Sequence, residues 1–352
     1  MTIHHLLLHK AIGETRAIAL DHAGRAVALF HDRWAEQGIR LRWGDVLTGI
    51  VRKCSPADGG AFISLEGGQE GFLARRDMGG LVEGAHGTWR VSAEARADKL
   101  AKLVEATQSE LDAPQNKPLE RWQASLPCVD GAVFEETHEA AKIIDETFGD
   151  ALTPRAPLSG GGRLQITPTP ALVAVDVDTV GRKDKGRASA RARVVGLVAA
   201  EELARQAVLR GLGGALVLDC IAPLARRDGP ELKKRFVETF RTIASRRVEC
   251  LPPSPFGLME AVVEWRWQPL YEAYFNEAGQ PRPLAVLLDG LRQIESAAQA
   301  NTAAQLKLDL PVSAFEAFLQ HKTLYETALS DRFGARIIVA QSKREKIEVA
   351  AQ

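Results

Sequence analysis

The spacing of apolar positions changes several times along the chain. Ile12 to Leu20 alternates loosely and Arg25 to Phe30 reads as a second strand, with a turn signal at Asp21-His22-Ala23-Gly24 between them. From about 43 to 92 the period is near two, in short runs. Asp45 to Lys53 alternates, Pro56 to Gly60 turns, Ala61 to Leu65 is a strand, Gly67-Gly68 turns, Glu70 to Leu73 resumes, and Trp89 to Ser92 closes the series. This spacing predicts a small all-β barrel or sandwich. Residues 94–106 are charged and predict a helix, Ala113 to Pro118 a linker, and 135–149 a helix. A break runs from Pro154 to Gly162.

The next section is the most regular. Leu172 to Asp178 is a strand of the fully buried type. Ala188 to Arg210 predicts a helix with Val194, Leu197, Val198, Ala204 and Val208 on one stripe, stopped by Gly211-Leu212-Gly213-Gly214. Ala215 to Asp219 is a second buried strand and Glu231 to Arg246 a second helix. A β-α-β-α order predicts an α/β domain. After Pro252-Pro253-Ser254-Pro255 the order is helix (284–299), strand (Gln305 to Leu310), helix (Ser313 to Leu329), strand (Ala335 to Ala340) and a charged tail. No internal repeat or low-complexity tract interrupts it.

The composition is that of a globular chain. Its 352 residues are 45% hydrophobic and 26% charged, with 45 basic and 45 acidic side chains. Zero net charge does not advertise a polyanion partner, so such a partner has to be argued from local clusters. No apolar run reaches the roughly 18 residues of a membrane span, and Met1 to Lys10 lacks a signal-peptide pattern. Cys54, Cys128, Cys220 and Cys250 form no C-x-x-C pair and predict free thiols in a reducing compartment, the cytoplasm.

Asp176 and Asp219 each end an apolar strand, and one helix separates the strands. A crossover connection would set the strands parallel and bring both carboxylates to the sheet edge where open α/β folds place their sites. Carboxylates there suit Mg²⁺, and Asp178 points to the same face as Asp176. The competing reading is that strand-terminal Asp residues cap turns. Residues 181–193 carry Arg182, Lys183, Lys185, Arg187, Arg191 and Arg193 against Asp184 alone, and 226–247 carry eight basic residues against three acidic ones. Such clusters suit a phosphodiester backbone, or are simply solvated helix faces. Phe62 and Phe72, on strands beside Lys53, Arg75 and Arg76, suit base stacking on an OB-fold, or belong to the core. Asp176-Val177-Asp178-Thr179-Val180 also fits the nucleophile motif of haloacid-dehalogenase-type phosphatases, although no later acidic pair completes that set.

The strand Leu172 to Thr179, the run Glu201 to Asp219 with its A-R-Q-A-V-L-R-G-L-G-G core, Phe256-Gly257-Leu258-Met259-Glu260 and Ile294 to Thr302 resemble the ribonuclease E/G family. Ala61-Phe62 and Gly71-Phe72-Leu73 resemble its inserted barrel. The resemblance implies a Mg²⁺-dependent endoribonuclease (Mn²⁺ as a substitute) that cuts single-stranded, often A/U-rich RNA and leaves a 5′-phosphate and a 3′-hydroxyl. Asp176 and Asp219 would hold the metal, with Asp178, normally Asn in the family, completing the catalytic set. Phe62, Phe72, Lys99, Arg182, Lys183, Lys185 and Arg187 would bind RNA.

The implied architecture is α/β and multidomain: N-terminal strands of a reduced RNase H-like domain (1–38), an OB-fold barrel (39–104), a linker with the remainder of the RNase H-like and sensor region (105–157), a DNase I-like catalytic domain (158–278) and a small α+β C-terminal domain (279–352). Residues 261–283 lack the family's zinc-link cysteines, so zinc is not expected and any homo-oligomer would form without it. No counterpart of the family's R-T 5′-sensor motif occurs in 105–157, and Pro255 stands where the family has Arg. Pro255 and Asp178 keep a second reading open, an RNA-binding protein on this scaffold with impaired cleavage.

Overall fold

A computed structural model describes residues 3–97, 99–112, 117–127, 132–184 and 186–351. It begins with β1 (Ile3–Ala11), β2 (Glu14–Asp21) and β3 (Ala26–Arg33), joined as an antiparallel meander. The turn falls at Asp21 to Gly24, where Asp21 Oδ1 accepts from the amides of Ala23 and Arg25, each at 2.9 Å. β1 is absent from the pattern read above. It is covered on both faces: Leu6 and Leu8 join the main core while Leu7 joins a second cluster, so its apolar positions do not alternate.

The next strands are β4 (Val46–Ser55), β5 (Gly60–Leu65), β6 (Glu70–Ala74), β7 (His86–Ala93) and β8 (Ala101–Glu105). They close a barrel in the order β4-β5-β6-β8-β7 around Val51, Ala61, Ile63, Leu73, Trp89, Val91, Ala101 and Leu103. The helix expected over 94–106 is thus corrected. Lys102 alternates with the buried Ala101 and Leu103, a period of two in a segment too short to display any other.

Two short helices, α1 (Gln108–Asp112) and α2 (Pro118–Ser125), lead to β9 (Phe134–Glu135) and α3 (His138–Leu152). β9 pairs parallel with β1, giving the sheet order β3-β2-β1-β9. Thr137 caps α3 by accepting the Ala140 amide at 3.0 Å, and Ala140, Ile144, Phe148 and Ala151 form its buried stripe.

The largest sheet uses β10 (Arg155–Pro157), β11 (Arg163–Pro168), β12 (Val173–Asp178), β13 (Gly214–Asp219), β14 (Val248–Cys250) and β15 (Leu258–Val263), in the order β10-β11-β12-β13-β15-β14. Helix α4 (Ala188–Leu209) connects β12 to its parallel neighbour β13, and α5 (Gly229–Ile243) follows β13. The expected stripe on α4 needs correction. Val194 is 42% exposed, and the buried face is Ala192, Val195, Gly196, Ala199, Ala200, Leu203, Ala204, Ala207 and Val208. Small residues prevail because α4 has neighbours on two sides, α5 and the strand β3. Leu232 of α5 lies where a Cβ on Gly196 would stand, 2.8 Å away.

After α6 (Leu270–Tyr274), the C-terminal part runs α7 (Pro283–Ala300), β16 (Leu306–Leu310), α8 (Val312–Gln320), α9 (Lys322–Phe333), β17 (Ile337–Gln341) and β18 (Glu348–Ala351). The helix expected over 313–329 is two helices meeting at His321, and part of the charged tail is the edge strand β18. This part packs on the N-terminal sheet. Ile12, in the tight β1–β2 turn, is buried in its cluster, and Ile12 N donates to Glu295 Oε1 at 2.6 Å.

Candidate active site

The pairs Val173↔Leu216, Ala174↔Val217 and Val175↔Leu218 fix the register of β12 on β13, so the next step sets Asp176 beside Asp219. Neighbouring strands lie about 4.8 Å apart. Val173, Val175, Leu216 and Leu218 are buried on the helix-covered face, which leaves both aspartates on the opposite, open face. Gln165 of β11 flanks Asp176, and Leu258 of β15 flanks Asp219. Neither carboxylate has a hydrogen-bond or ion-pair partner among the described residues. Two like charges at paired positions repel, and a cation between them removes that cost.

Asp178 lies one residue-pair further along the same face but is occupied. Its Oδ2 meets Arg163 Nη2 at 2.6 Å and its Oδ1 accepts the Val180 amide at 2.9 Å. Arg163, unremarked in the sequence pattern, neutralises the charge that Asp178 adds. Glu260 shares the open face, opposite Val217. Among the described residues there is no group of three or more His, Cys, Asp or Glu able to hold a metal.

The basic clusters provide fewer free cations than their counts suggest. The Arg182 guanidinium donates to the carbonyls of Ser159 (2.9 Å) and Gly161 (2.8 Å) and pairs with Asp184 at 2.5 Å, leaving its side chain 6% exposed. That arginine clamps the glycine turn before β11 and does not face solvent. Arg193 forms a two-pronged pair with Glu231 at 2.8 and 2.7 Å. Arg246 is buried against Phe240 and Trp267, donates to Leu212 O and Ala207 O, and is pushed down to about 9 by burial and then by Arg266. Lys183, Arg187, Arg191, Arg226 and Arg227 remain exposed. Arg191 lines a cavity of about 240 Å³ with Thr179, Ala188 and Ile221, between the β12 loop, the start of α4 and the chain leaving Asp219. Lys185 lies outside the described residues.

On the barrel, Phe62 and Phe72 point away from the interior that Ala61, Ile63 and Leu73 fill. They are register partners whose rings meet edge to face, with centroids 5.6 Å apart. The register extends the row to Lys53 beside Phe62 and Lys102 beside Phe72. Two half-buried aromatics flanked by two lysines thus form one band on the outer wall. Burial and then Arg76 push the Lys102 ammonium below its ordinary value. The family resemblance pointed to Lys99; Lys99 is exposed and meets Arg96 through its backbone at 2.7 Å, outside this row. Lys102 was concealed by the helical reading of its segment.

The barrel is fixed to the large sheet. Glu94 accepts the amides of Trp43 and Gln268, both at 3.2 Å, and pairs with Arg40, while Glu94 N donates to Arg266 O at 2.9 Å. Arg266 sits over Trp43 at 4.5 Å and Trp267 at 5.4 Å.

The model of the ribonuclease E/G family matches residues 97–263, which include both aspartates and the last barrel strand. The chain is 27% identical over 199 residues to ribonuclease E of Synechocystis, covering 55% of this chain and 28% of that protein. It is 30% identical over 131 residues to ribonuclease E of Nostoc, covering 37% of this chain and 19% of that protein. A chloroplastic ribonuclease E/G-like protein of Arabidopsis thaliana is 41% identical over 123 residues, 33% of this chain and 12% of that protein. The matches therefore span under a third of these relatives' own lengths. Through the segment that carries Asp176 and Asp219, this chain is similar to the ribonuclease E/G family.

Proposed function

We propose that the chain is a divalent-metal-dependent endoribonuclease acting on single-stranded RNA. The observation that carries this reading is the side-by-side, unpartnered placement of Asp176 and Asp219 on an open sheet face. The residues fit Mg²⁺ (or Mn²⁺), which takes hard oxygen donors and is commonly held by one or two carboxylates plus water and substrate phosphate. A bound Mg²⁺ supplies charge to activate water and to stabilise the phosphodiester transition state. Asp176 and Asp219 hold that charge in place. Arg163 keeps Asp178 paired, so the site retains two uncompensated carboxylates, as it would with Asn at 178. Lys183, Arg187 and Arg191 beside the strand ends, and the barrel row, attract and align the RNA backbone and bases. Cleavage then leaves a 5′-phosphate and a 3′-hydroxyl, in RNA processing or decay.

The domain reading follows. The barrel is an OB-fold, the six-stranded sheet with α4 and α5 is a DNase I-like catalytic part, the N-terminal sheet is a reduced RNase H-like part, and α7 onward is a small α+β domain. No helix among the described residues is long and apolar enough to cross a membrane. The phosphatase reading needs a free acid at Asp178, whose two oxygens are both engaged.

The test is incubation with an end-labelled single-stranded A/U-rich RNA in Mg²⁺ and in EDTA, beside p-nitrophenyl phosphate. Internal cuts in Mg²⁺ alone, with the phosphomonoester untouched, are expected. RNA bound but intact would select the cleavage-impaired binder instead.

A further inference from the structure

Phe256 is 90% exposed, an unusual position for a phenylalanine, and the fold holds it there firmly. Its turn is closed by Gly257 N to Ser254 O and by Ser254 N to Leu258 O, both 2.9 Å, and Phe256 N donates to Ser254 Oγ at 3.3 Å. Gly257 adopts φ +87°, a left-handed conformation that lets the chain reverse immediately after the ring. Prolines 252, 253 and 255 stiffen the approach. The aromatic ring is therefore presented to solvent by an ordered turn.

The turn is anchored beside the aspartate pair. Leu258 is the register partner of Asp219, and the Cys220 amide, one residue after Asp219, donates to Gly257 O at 3.0 Å. The same turn packs on the segment leaving Asp219. A Cβ on Gly229 would stand 3.3 Å from Pro253 and 3.7 Å from Pro252, and that segment carries the exposed Arg226 and Arg227. On the other side of the carboxylates, Val180 in the β12 loop is 78% exposed. An apolar ring, two carboxylates and two guanidinium groups thus share one end of the sheet.

We propose that Phe256 is a stacking platform for an unpaired nucleobase next to the phosphate engaged at Asp176 and Asp219. The proposal rests on the nuclease reading and adds a substrate contact to it. A base has an apolar π-face for the ring and, one bond network away, a phosphate for Arg226 and Arg227. Stacking on this ring requires a base free of a duplex, so Phe256 confers preference for single strands at the cutting position.

The test is fluorescence anisotropy in EDTA, with a fluorescein-labelled single-stranded RNA and a series of RNAs each carrying one abasic nucleotide. Wild type, Phe256→Ala and Phe256→Trp are compared. Phe256→Ala should weaken binding about 5- to 150-fold, and Phe256→Trp should bind at least as well as wild type. One abasic position should weaken wild type by the same factor and cost Phe256→Ala nothing more. Wild-type binding with Phe256→Ala unchanged, or losses that add at every abasic position, would overturn the stacking contact and leave the nuclease reading standing. Phe256→Ala abolishing a concentration-dependent oligomer with RNA binding intact would likewise overturn it, assigning the ring to self-association. No binding by wild type would remove both readings together.

Discussion

Asp176 and Asp219 each follow the last register pair of β12 and β13, Val175 and Leu218, where two like charges weaken strand association, and no described cation relieves them. Positions retained at a cost to the fold are where function is expected. Asp176→Asn or Asp219→Asn should therefore leave the melting temperature unchanged or slightly raised in metal-free buffer; a marked fall in either would show a structural role instead. These residues were legible in the sequence because a carboxylate closing an apolar strand breaks the pattern at one position. Arg182 was not. Its counted charge looked free, but its partners are backbone carbonyls some twenty residues away, exposed by the left-handed turn of Gly160 to Gly162. Arg163 escaped notice for the same reason, since its importance comes only from its pairing with Asp178 across β11 and β12.

At the scale of elements, the barrel wall joins stability to the proposed RNA binding. Gly60 has no room for a side chain: a Cβ there would lie 2.2 Å from Leu73 O and 2.5 Å from Phe72 Cζ. Gly60→Ala should destabilise the protein by about 1–3 kcal/mol through overpacking and should also displace the Phe72 ring. Denaturant unfolding checks the first expectation and RNA affinity the second. Phe62→Ala and Phe72→Ala, both on the outer wall, should each weaken RNA binding by about 1–3 kcal/mol while leaving the barrel folded, which titration with labelled RNA measures. The strands from 45 to 73 were readable because turn residues punctuate them. β8 was not, because a five-residue strand with a lysine inside it carries no period a reader can separate from a charged helix. The helix α4 was placed correctly, but its stripe was misassigned. Valine and leucine drew attention, while the face pressed between α5 and β3 is built of alanine and glycine.

At the scale of the molecule, buried charge ties the chain's two ends together. Glu14 lies between Arg16 at 3.5 Å, Arg33 at 3.8 Å and Arg292, which is in direct contact. Burial alone would raise the Glu14 carboxyl, but the pull of Arg292, Arg16 and Arg33 outweighs it and holds the group below its ordinary 4.5. A depressed carboxylate stabilises the fold above its unfolded value, and that stability is lost as pH falls through the folded value. The melting temperature should therefore drop once pH passes below 4.5. Glu14→Gln should destabilise the fold near neutral pH, by less than the about 3–5 kcal/mol of a fully broken buried pair because Arg16, Arg33 and Arg292 keep Asp145, Glu36 and Asp289 as partners, and should show a shallower acid limb. An acid limb as steep in the variant as in wild type would assign the titration elsewhere. This network left no trace in the sequence, where Arg292 stands 278 residues from Glu14. The catalytic claim is tested most directly by single-turnover cleavage of end-labelled RNA in Mg²⁺ with Asp176→Asn and Asp219→Asn, RNA affinity being measured in parallel. Each variant should bind RNA as wild type does and cut about a thousandfold more slowly, the loss of several kcal/mol of metal-assisted stabilisation. Cutting at the wild-type rate by either variant would contradict it.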